Sequence, residues 1–252
     1  MRSRRLAPLP PSDRPLYDRV RQRLIEGVSQ GEWRAGEAIP TEAQLAAAFG
    51  VSIGTIRKAV DSLVAERALV RRQGKGTFVT AHDAGQLFFH FFHVVPRVGS
   101  KAYPEVRTVS FRRDRADAAS ARALGIAPHD KVIRIRNVLG LAGQPVIVDD
   151  ITLAAQLFPG LSEKSFTSRG NTIYHLYQSR YGINVLRTDE RLRAVLATGD
   201  IAQLLGVHAG APLLEIRRLA LTFRDRPVEL RLSHVNTVRH DYYNTLGKGE
   251  PL

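Results

Sequence analysis

The chain of 252 residues contains no cysteine, which excludes disulfides and thiolate-held metals. No stretch of 18 apolar residues occurs, so no membrane-crossing helix and no membrane partner are expected. Behind Arg2, Arg4 and Arg5 the run Leu6-Ala7-Pro8-Leu9-Pro10-Pro11 is broken by prolines, where a secretory signal needs an apolar core; a cytoplasmic location is expected. The sequence has no G-x-S-x-G, no H-E-x-x-H and no EF-hand loop. Gly74-Lys75-Gly76-Thr77 resembles the end of a phosphate loop. The upstream glycine at Walker spacing is missing, however, and the run follows a strand instead of opening a helix. His90 and His93 lie three apart on a strand-like segment and so face opposite sides, a poor arrangement for a metal. No cofactor, metal or catalytic residue is expected.

What the chain has in excess is positive charge. Thirty-seven Lys and Arg against 24 Asp and Glu give +13 and a pI near 10.7, which suits a polyanionic partner. Residues 1–80 hold about half of that excess in a third of the length.

The order of local signals in those 80 residues is informative. Asp13 and Pro15 mark a helix start, and Leu16, Val20, Leu24 and Val28 recur every four residues up to Gly31. Thr41 and Gln44 form a capping box for a short helix that Gly50 stops. Ser52 then caps a longer helix reaching about Arg67, whose buried face is Ile56, Val60, Leu63 and Val64. Its opposite side shows Gly54, Thr55, Arg57, Lys58 and Asp61. A short helix, a tight turn and a longer helix with a polar, basic start define a helix-turn-helix. The second helix offers its N-terminal end to a major groove. Leu69-Val70-Arg71-Arg72 and Thr77-Phe78-Val79-Thr80 flank a glycine-rich tip and read as a hairpin. With Arg71, Arg72 and Lys75 around Gly74, this ribbon can grip phosphates along a minor groove.

Four ordered blocks carry a family resemblance: Ile39-Pro40-Thr41-Glu42, Phe49-Gly50-Val51-Ser52, Thr55 to Val60, and Arg72 to Val79. Residues 15–80 thereby resemble the winged helix-turn-helix of the GntR family. The resemblance implies that Ser52, Gly54, Thr55 and Arg57 start or line the recognition helix, that Gly74 is the wing tip, and that Tyr17 and Thr41 touch backbone phosphate. Two positions depart from the family: Ala43 and Ile53 stand where many members carry a base-reading arginine. Arg57 is left as the guanine reader. Ile53 offers only an apolar contact, as to a thymine methyl.

After the short linker His82 to Gly85 the chain turns α+β. The run Leu87 to Val95 is aromatic-rich and strand-like. A helix over Asp117–Leu124 ends at Gly125. A strand Val132–Leu139 turns at Ala142-Gly143-Gln144-Pro145 and returns as Val146–Leu153. Asn171–Tyr181 reads as a helix, and 183–197 contains a long strand. Leu204-Leu205-Gly206-Val207 and Asp225-Arg226-Pro227-Val228 echo the first helix end and hairpin, which indicates a duplicated unit in one mostly antiparallel sheet. Residues 86–247 resemble the UTRA effector domain of the HutC branch, with its chorismate-lyase-like fold. The resemblance implies a homodimer whose C-terminal domains bind a small metabolite, with residues 81–95 transmitting the signal and residues 1–14 forming a basic tail.

In that branch, sugar-phosphate sensors carry an arginine pair where this chain has Asn137 and Leu139. Arg134 and Arg136 are nearby, but one of these two positions faces opposite to the pocket set unless the strand bulges. Asp149, Thr172, Tyr174 and Glu229 fall at the remaining effector-site positions, and Val235 replaces a tyrosine. Without the arginine pair the effector is expected not to be a sugar phosphate, and the two carboxylates favour amine or hydroxyl donors. Alternatively, Asn137, Asp149 and Glu229 only satisfy strand hydrogen bonds. Three functions follow: an effector-responsive repressor on a palindromic double-stranded operator, a DNA-binding protein whose C-terminal domain only dimerises, or a lyase-like enzyme.

Overall fold

The computed structural model describes residues 9, 13–66, 68–80, 92–99, 103–170 and 172–244. They fall into two compact units. One holds the described residues up to Thr80 together with 174–186; the other holds the remainder.

The first unit opens with α1 (Leu16–Ser29), α2 (Glu42–Phe49), α3 (Ile53–Ala65), β1 (Leu69–Arg72) and β2 (Gly76–Val79). Asp13 does not cap α1. Pro15 occupies the N-cap position, and its carbonyl accepts the first turn's N–H groups from Asp18 and Arg19 at 3.0 and 3.1 Å. Proline's fixed φ pre-sets that turn, so the helix begins without a side-chain cap. The Thr41–Gln44 capping box forms as expected, Gly50 ends α2 in the left-handed conformation, and Ser52 caps α3 through the Thr55 N–H. In α1 the residues Val20, Leu24, Ile25 and Val28 are buried whereas Leu16, expected on the same stripe, is exposed; α1 packs on α3, whose Ile56, Ala59, Val60 and Leu63 are buried while Val64 is only partly covered.

The segment after α1 is more ordered than a plain loop. Arg23, itself buried, grips Glu32 with two hydrogen bonds of 2.8 and 2.9 Å. Ala38 bridges Phe78, the Ile39 N–H donates to the Thr77 carbonyl and the Val79 N–H to the Glu37 carbonyl, so residues 36–39 extend the β1–β2 hairpin by a short third strand.

The second unit begins with β3 (Val94–Pro96), β4 (Glu105–Arg115), α4 (Ala118–Leu124), β5 (Lys131–Leu141), β6 (Gln144–Ala154) and α5 (Glu163–Thr167). The chain then enters α6 (Ile173–Tyr181), which belongs to the first unit beyond its first residue. It continues through β7 (Arg187–Leu196), α7 (Gly199–Leu205), β8 (Pro212–Leu221), β9 (Pro227–Val235) and β10 (His240–Tyr242). Of the aromatic run expected as a strand, residues 87–91 lie outside the described residues, as does the linker before them; the strand begins at Val94. Gln144 and Pro145, expected in the turn, open β6 instead. The turn is the pair Ala142–Gly143, both with positive φ (49° and 74°), the conformation a two-residue hairpin needs.

One six-stranded antiparallel sheet results, in the order β4-β5-β6-β9-β8-β7. This order exposes the repeat. Each copy is a long strand, a helix ending at a left-handed glycine (Gly125, Gly206), and a hairpin. The copies meet at β6–β9, where Asp150 and Leu232, 82 positions apart, lie opposite each other. A local two-fold axis passes through that pair. Helices α4 and α7 cover one face of the sheet, over Val132 and Leu230 in one copy and over Val138, Val148 and Leu213 in the other. The short β3–β10 ladder covers part of the opposite face over Leu139, Ile147, Ile216 and Val235.

Gly27 gives a clean test of the first unit. A Cβ there would lie 2.3 Å from Cζ3 of Trp33, the only tryptophan, whose ring is buried. Gly27→Ala should cost about 1–3 kcal/mol through overpacking and shift Trp33 fluorescence; wild-type emission and melting temperature would contradict this packing.

Candidate functional site

The exposed side of the first unit assembles most of the residues singled out above for DNA. Ser52 starts α3, its Oγ accepting the Thr55 N–H at 3.2 Å and lying 2.9 Å from Thr55 Oγ1. Gly54 is exposed, and a Cβ on it would meet only Ser52 Oγ at 3.8 Å. The fold therefore does not require glycine at that point; what the missing side chain leaves open is close approach from outside. Ile53 beside it is 47% exposed, an apolar group presented to solvent at the start of the helix. Ala43, the other departure, is also exposed.

Lys58 lies over the Tyr17 ring at 4.3 Å, which joins the start of α1 to α3 by a cation–π contact. Thr41 is exposed, but its Oγ is engaged in the capping box. On the wing, the Lys75 N–H closes the turn onto the Arg72 carbonyl at 2.9 Å, with Gly74 left-handed at φ 69°. Arg72 stacks over Phe78 at 4.7 Å. Arg71 is committed inward, bonded to Asp61 of α3 and to Glu42 of α2. Glu42 also takes Arg57 Nε at 3.0 Å. Sequence alone does not single out Glu42, because its two partners come from two other elements, α3 and β1.

In the second unit, alternation along the strands places Arg134 and Arg136 on the helix-covered face. Arg134 pairs there with Asp114 and Asp117, and Arg136 with Asp150 and Asp200. The cap to Ser120 N–H and then the Arg134 guanidinium hold Asp117 well below the usual carboxylate range. The opposite face carries a buried polar row. Thr108 donates to Asn137 at 3.0 Å. Asn137 is opposite Asp149, which is opposite Ser233 and accepts its hydroxyl. Arg231 then joins the two expected carboxylates: Nη1 donates to Asp149 at 3.1 Å, while Nε and Nη2 donate to Glu229 at 2.9 and 3.0 Å. Glu229 is completely buried.

The two carboxylates are thus not vacant acceptors. They share one guanidinium. The signal for it was present: Glu229, Arg231 and Ser233 alternate along one strand face. Under the local two-fold, Thr108–Asn137 maps onto Glu190–Arg218, a buried ion pair between β7 and β8. Tyr242 of β10 donates to Glu190. Burial, then this bond, raises the phenol above its ordinary value and keeps it protonated. The acids Asp149, Glu190 and Glu229 against Arg218 and Arg231 leave the row one formal negative charge.

Thr172 directly precedes α6, and Tyr174 lies in the first unit, its ring 5.7 Å from that of Tyr177. His93 packs its ring against Tyr242 at 5.2 Å, whereas His90 lies outside the described residues. Among the described residues no cluster of three or more His, Asp or Glu could hold a metal, and no helix is long and apolar enough to cross a membrane.

A winged helix-turn-helix followed by an antiparallel domain with a buried polar row defines a DNA-binding regulator controlled by a small molecule. Residues 16–79 match the bacterial regulatory proteins of the gntR family, and residues 100–242 match the UTRA domain. The chain belongs to the GntR family, in its UTRA-containing, HutC-like branch. It is similar to the histidine utilization repressor of Klebsiella aerogenes, at 32% identity over 206 residues (81% of this chain, 83% of that one). A protein of Escherichia coli K12 named "Probable fructoselysine utilization operon transcriptional repressor" is 31% identical over 216 residues (85% and 88%). Among solved structures, the ligand-binding domain of a regulator assigned to the GntR family from Bordetella bronchiseptica superposes with a TM-score of 0.60 at 37% identity. That match covers 62% of this chain and 98% of the domain. The protein is therefore a transcription regulator and not an enzyme.

Breaking the charge balance of the row should be costly. Arg231→Met should lower stability by about 3–5 kcal/mol by stranding buried carboxylates. The triple variant Arg231→Met/Asp149→Asn/Glu229→Gln should recover most of that loss in denaturant unfolding. A neutral single variant would show that Arg231 does not balance the two acids.

Proposed function

We propose that the chain is a homodimeric repressor that reads a palindromic double-stranded operator through Ser52, Gly54, Thr55, Arg57 and Lys58. The wing residues Arg72, Gly74 and Lys75, together with Tyr17 and Thr41, engage phosphate, and Arg71 supports the wing. The observation that carries this reading is the exposed N-terminal end of α3 beside a glycine-tipped basic hairpin. Backbone amides at such a helix start favour phosphate, and the side chains around them reach base edges. Two protomers would set their recognition helices about 34 Å apart, one helical turn of DNA. DNA binding is assigned to residues 15–80, effector binding and dimerisation to 86–247, and the coupling between them to 81–95.

The effector of this proposal rests on the polar row and carries amine or hydroxyl donors instead of a phosphate. The net negative charge of the row supports this, as does the bond that each Arg231 nitrogen makes to a carboxylate. A phosphate dianion would have to displace those acids while staying beside them. Effector binding alters operator affinity by favouring one domain arrangement, a coupling of about 1–3 kcal/mol.

Three measurements test this. Light scattering should return twice the 28.0 kDa chain mass. Arg57→Ala should cost operator affinity about 1–3 kcal/mol and relax the preference at one base pair per half-site. In a thermal-shift panel, amine- or polyol-type metabolites should raise the melting temperature, since ligand at 100 times its Kd adds about 2.7 kcal/mol. Micromolar binding of a sugar phosphate would overturn the effector assignment.

A further inference from the structure

Glu42 opens α2 on the same exposed side as Arg57 and is partly buried. Its two oxygens serve two different arginines. Oε2 accepts from Arg57 Nε at 3.0 Å, and Oε1 accepts from Arg71 Nη2 at 2.9 Å. The other terminal nitrogen of Arg71 donates to Asp61 on α3. One carboxylate therefore links the recognition helix and the wing, each through an arginine at the surface that meets DNA.

Fold stability gives no account of this arrangement. Arg57, Arg71 and Asp61 are 62%, 43% and 51% exposed, and ion pairs so open to solvent contribute little to folding. Its consequences lie in how the arginines are presented. Held by Nε, Arg57 offers the end edge of its guanidinium, with one N–H from each terminal nitrogen, to an outside acceptor, and a pair of N–H groups is what guanine O6 and N7 accept. Arg71 has both terminal nitrogens occupied by acids and is withheld from phosphate. A fixed negative charge at this surface also repels phosphates of every sequence equally.

We propose that Glu42 is a specificity-determining positioning residue: it aims Arg57 at one base and keeps Arg71 off the DNA backbone. Binding to arbitrary sequence is thereby weakened while binding to the operator is kept. The inference rests on Arg57 being the base reader.

The test uses the full-length chain, with fluorescence anisotropy on two duplexes across a salt series: a palindrome selected from a random pool, and a scrambled duplex of equal length. The variants are Glu42→Gln, Arg57→Ala and both together. Glu42→Gln is isosteric and keeps the helix-start position. It should tighten binding to the scrambled duplex and steepen its salt slope by about one released counterion. It should also lower the operator-to-scrambled ratio about tenfold, within the range of one arginine–guanine pair. Added to Arg57→Ala, it should lower the ratio no further. If Arg57→Ala lowers the ratio and Glu42→Gln leaves it unchanged, the inference fails and the reading of Arg57 stands. If Arg57→Ala leaves the ratio unchanged, both fail. Parallel losses on both duplexes with a lowered melting temperature would make Glu42 a folding residue and also overturn the inference.

Discussion

The pairing of β6 with β9 is the contact on which the second unit depends. Either copy of the repeat alone is a three-stranded sheet with two open edges and one helix, a small element with little core. Joining the copies through their hairpins leaves β4 and β7 as the only edges of a six-stranded sheet, with the most protected ladder in the middle. One face of that junction is well shielded from water. Asp149, Glu229 and Ser233 are buried there. A polar group at such a place must be bonded, which is why Thr108 donates to Asn137 while Ser233 and Arg231 hold Asp149 and Arg231 holds Glu229.

Sheet stability itself comes from elsewhere. The apolar clusters under α4 and α7 and beneath β3–β10 supply the area removed from water, whereas buried ion pairs regain at best what their desolvation costs. The row therefore adds little to the stability of the sheet. The same division of labour holds in the first unit. There the apolar stripe of α1 against α3 does the folding, and arginine–carboxylate contacts organise the surface without adding much stability.

Sequence made local features legible and left distant ones hidden. Thr41 with Gln44, Gly50, Ser52 and Gly74 each act within three or four residues, so the helix-turn-helix and wing could be read from them directly. The glycine and proline echoes disclosed the duplication. The leading strand β4 was not legible because it is a sheet edge rich in exposed charge, with no clean alternation of apolar residues. Asp13 misled because Pro15 provides a competing way to start a helix. Arg231 stands two positions beyond Glu229, so strand alternation alone places it on the same face. Glu42 could not be found this way at all, since its partners lie 15 and 29 residues away.

The two-fold relating the copies is one of backbone and not of chemistry. Where one half places a hydroxyl and an amide, Thr108 with Asn137, the other places an ion pair, Glu190 with Arg218. Asp149 and Arg231 are counterparts across the axis and carry opposite charge. A symmetric site would accept an elongated guest in either of two opposite poses, with no means of choosing between them. Here the two ends of the row differ in polarity, so a guest lying along it has a head and a tail. Duplication built the platform, and divergence of a few facing side chains gave it a direction.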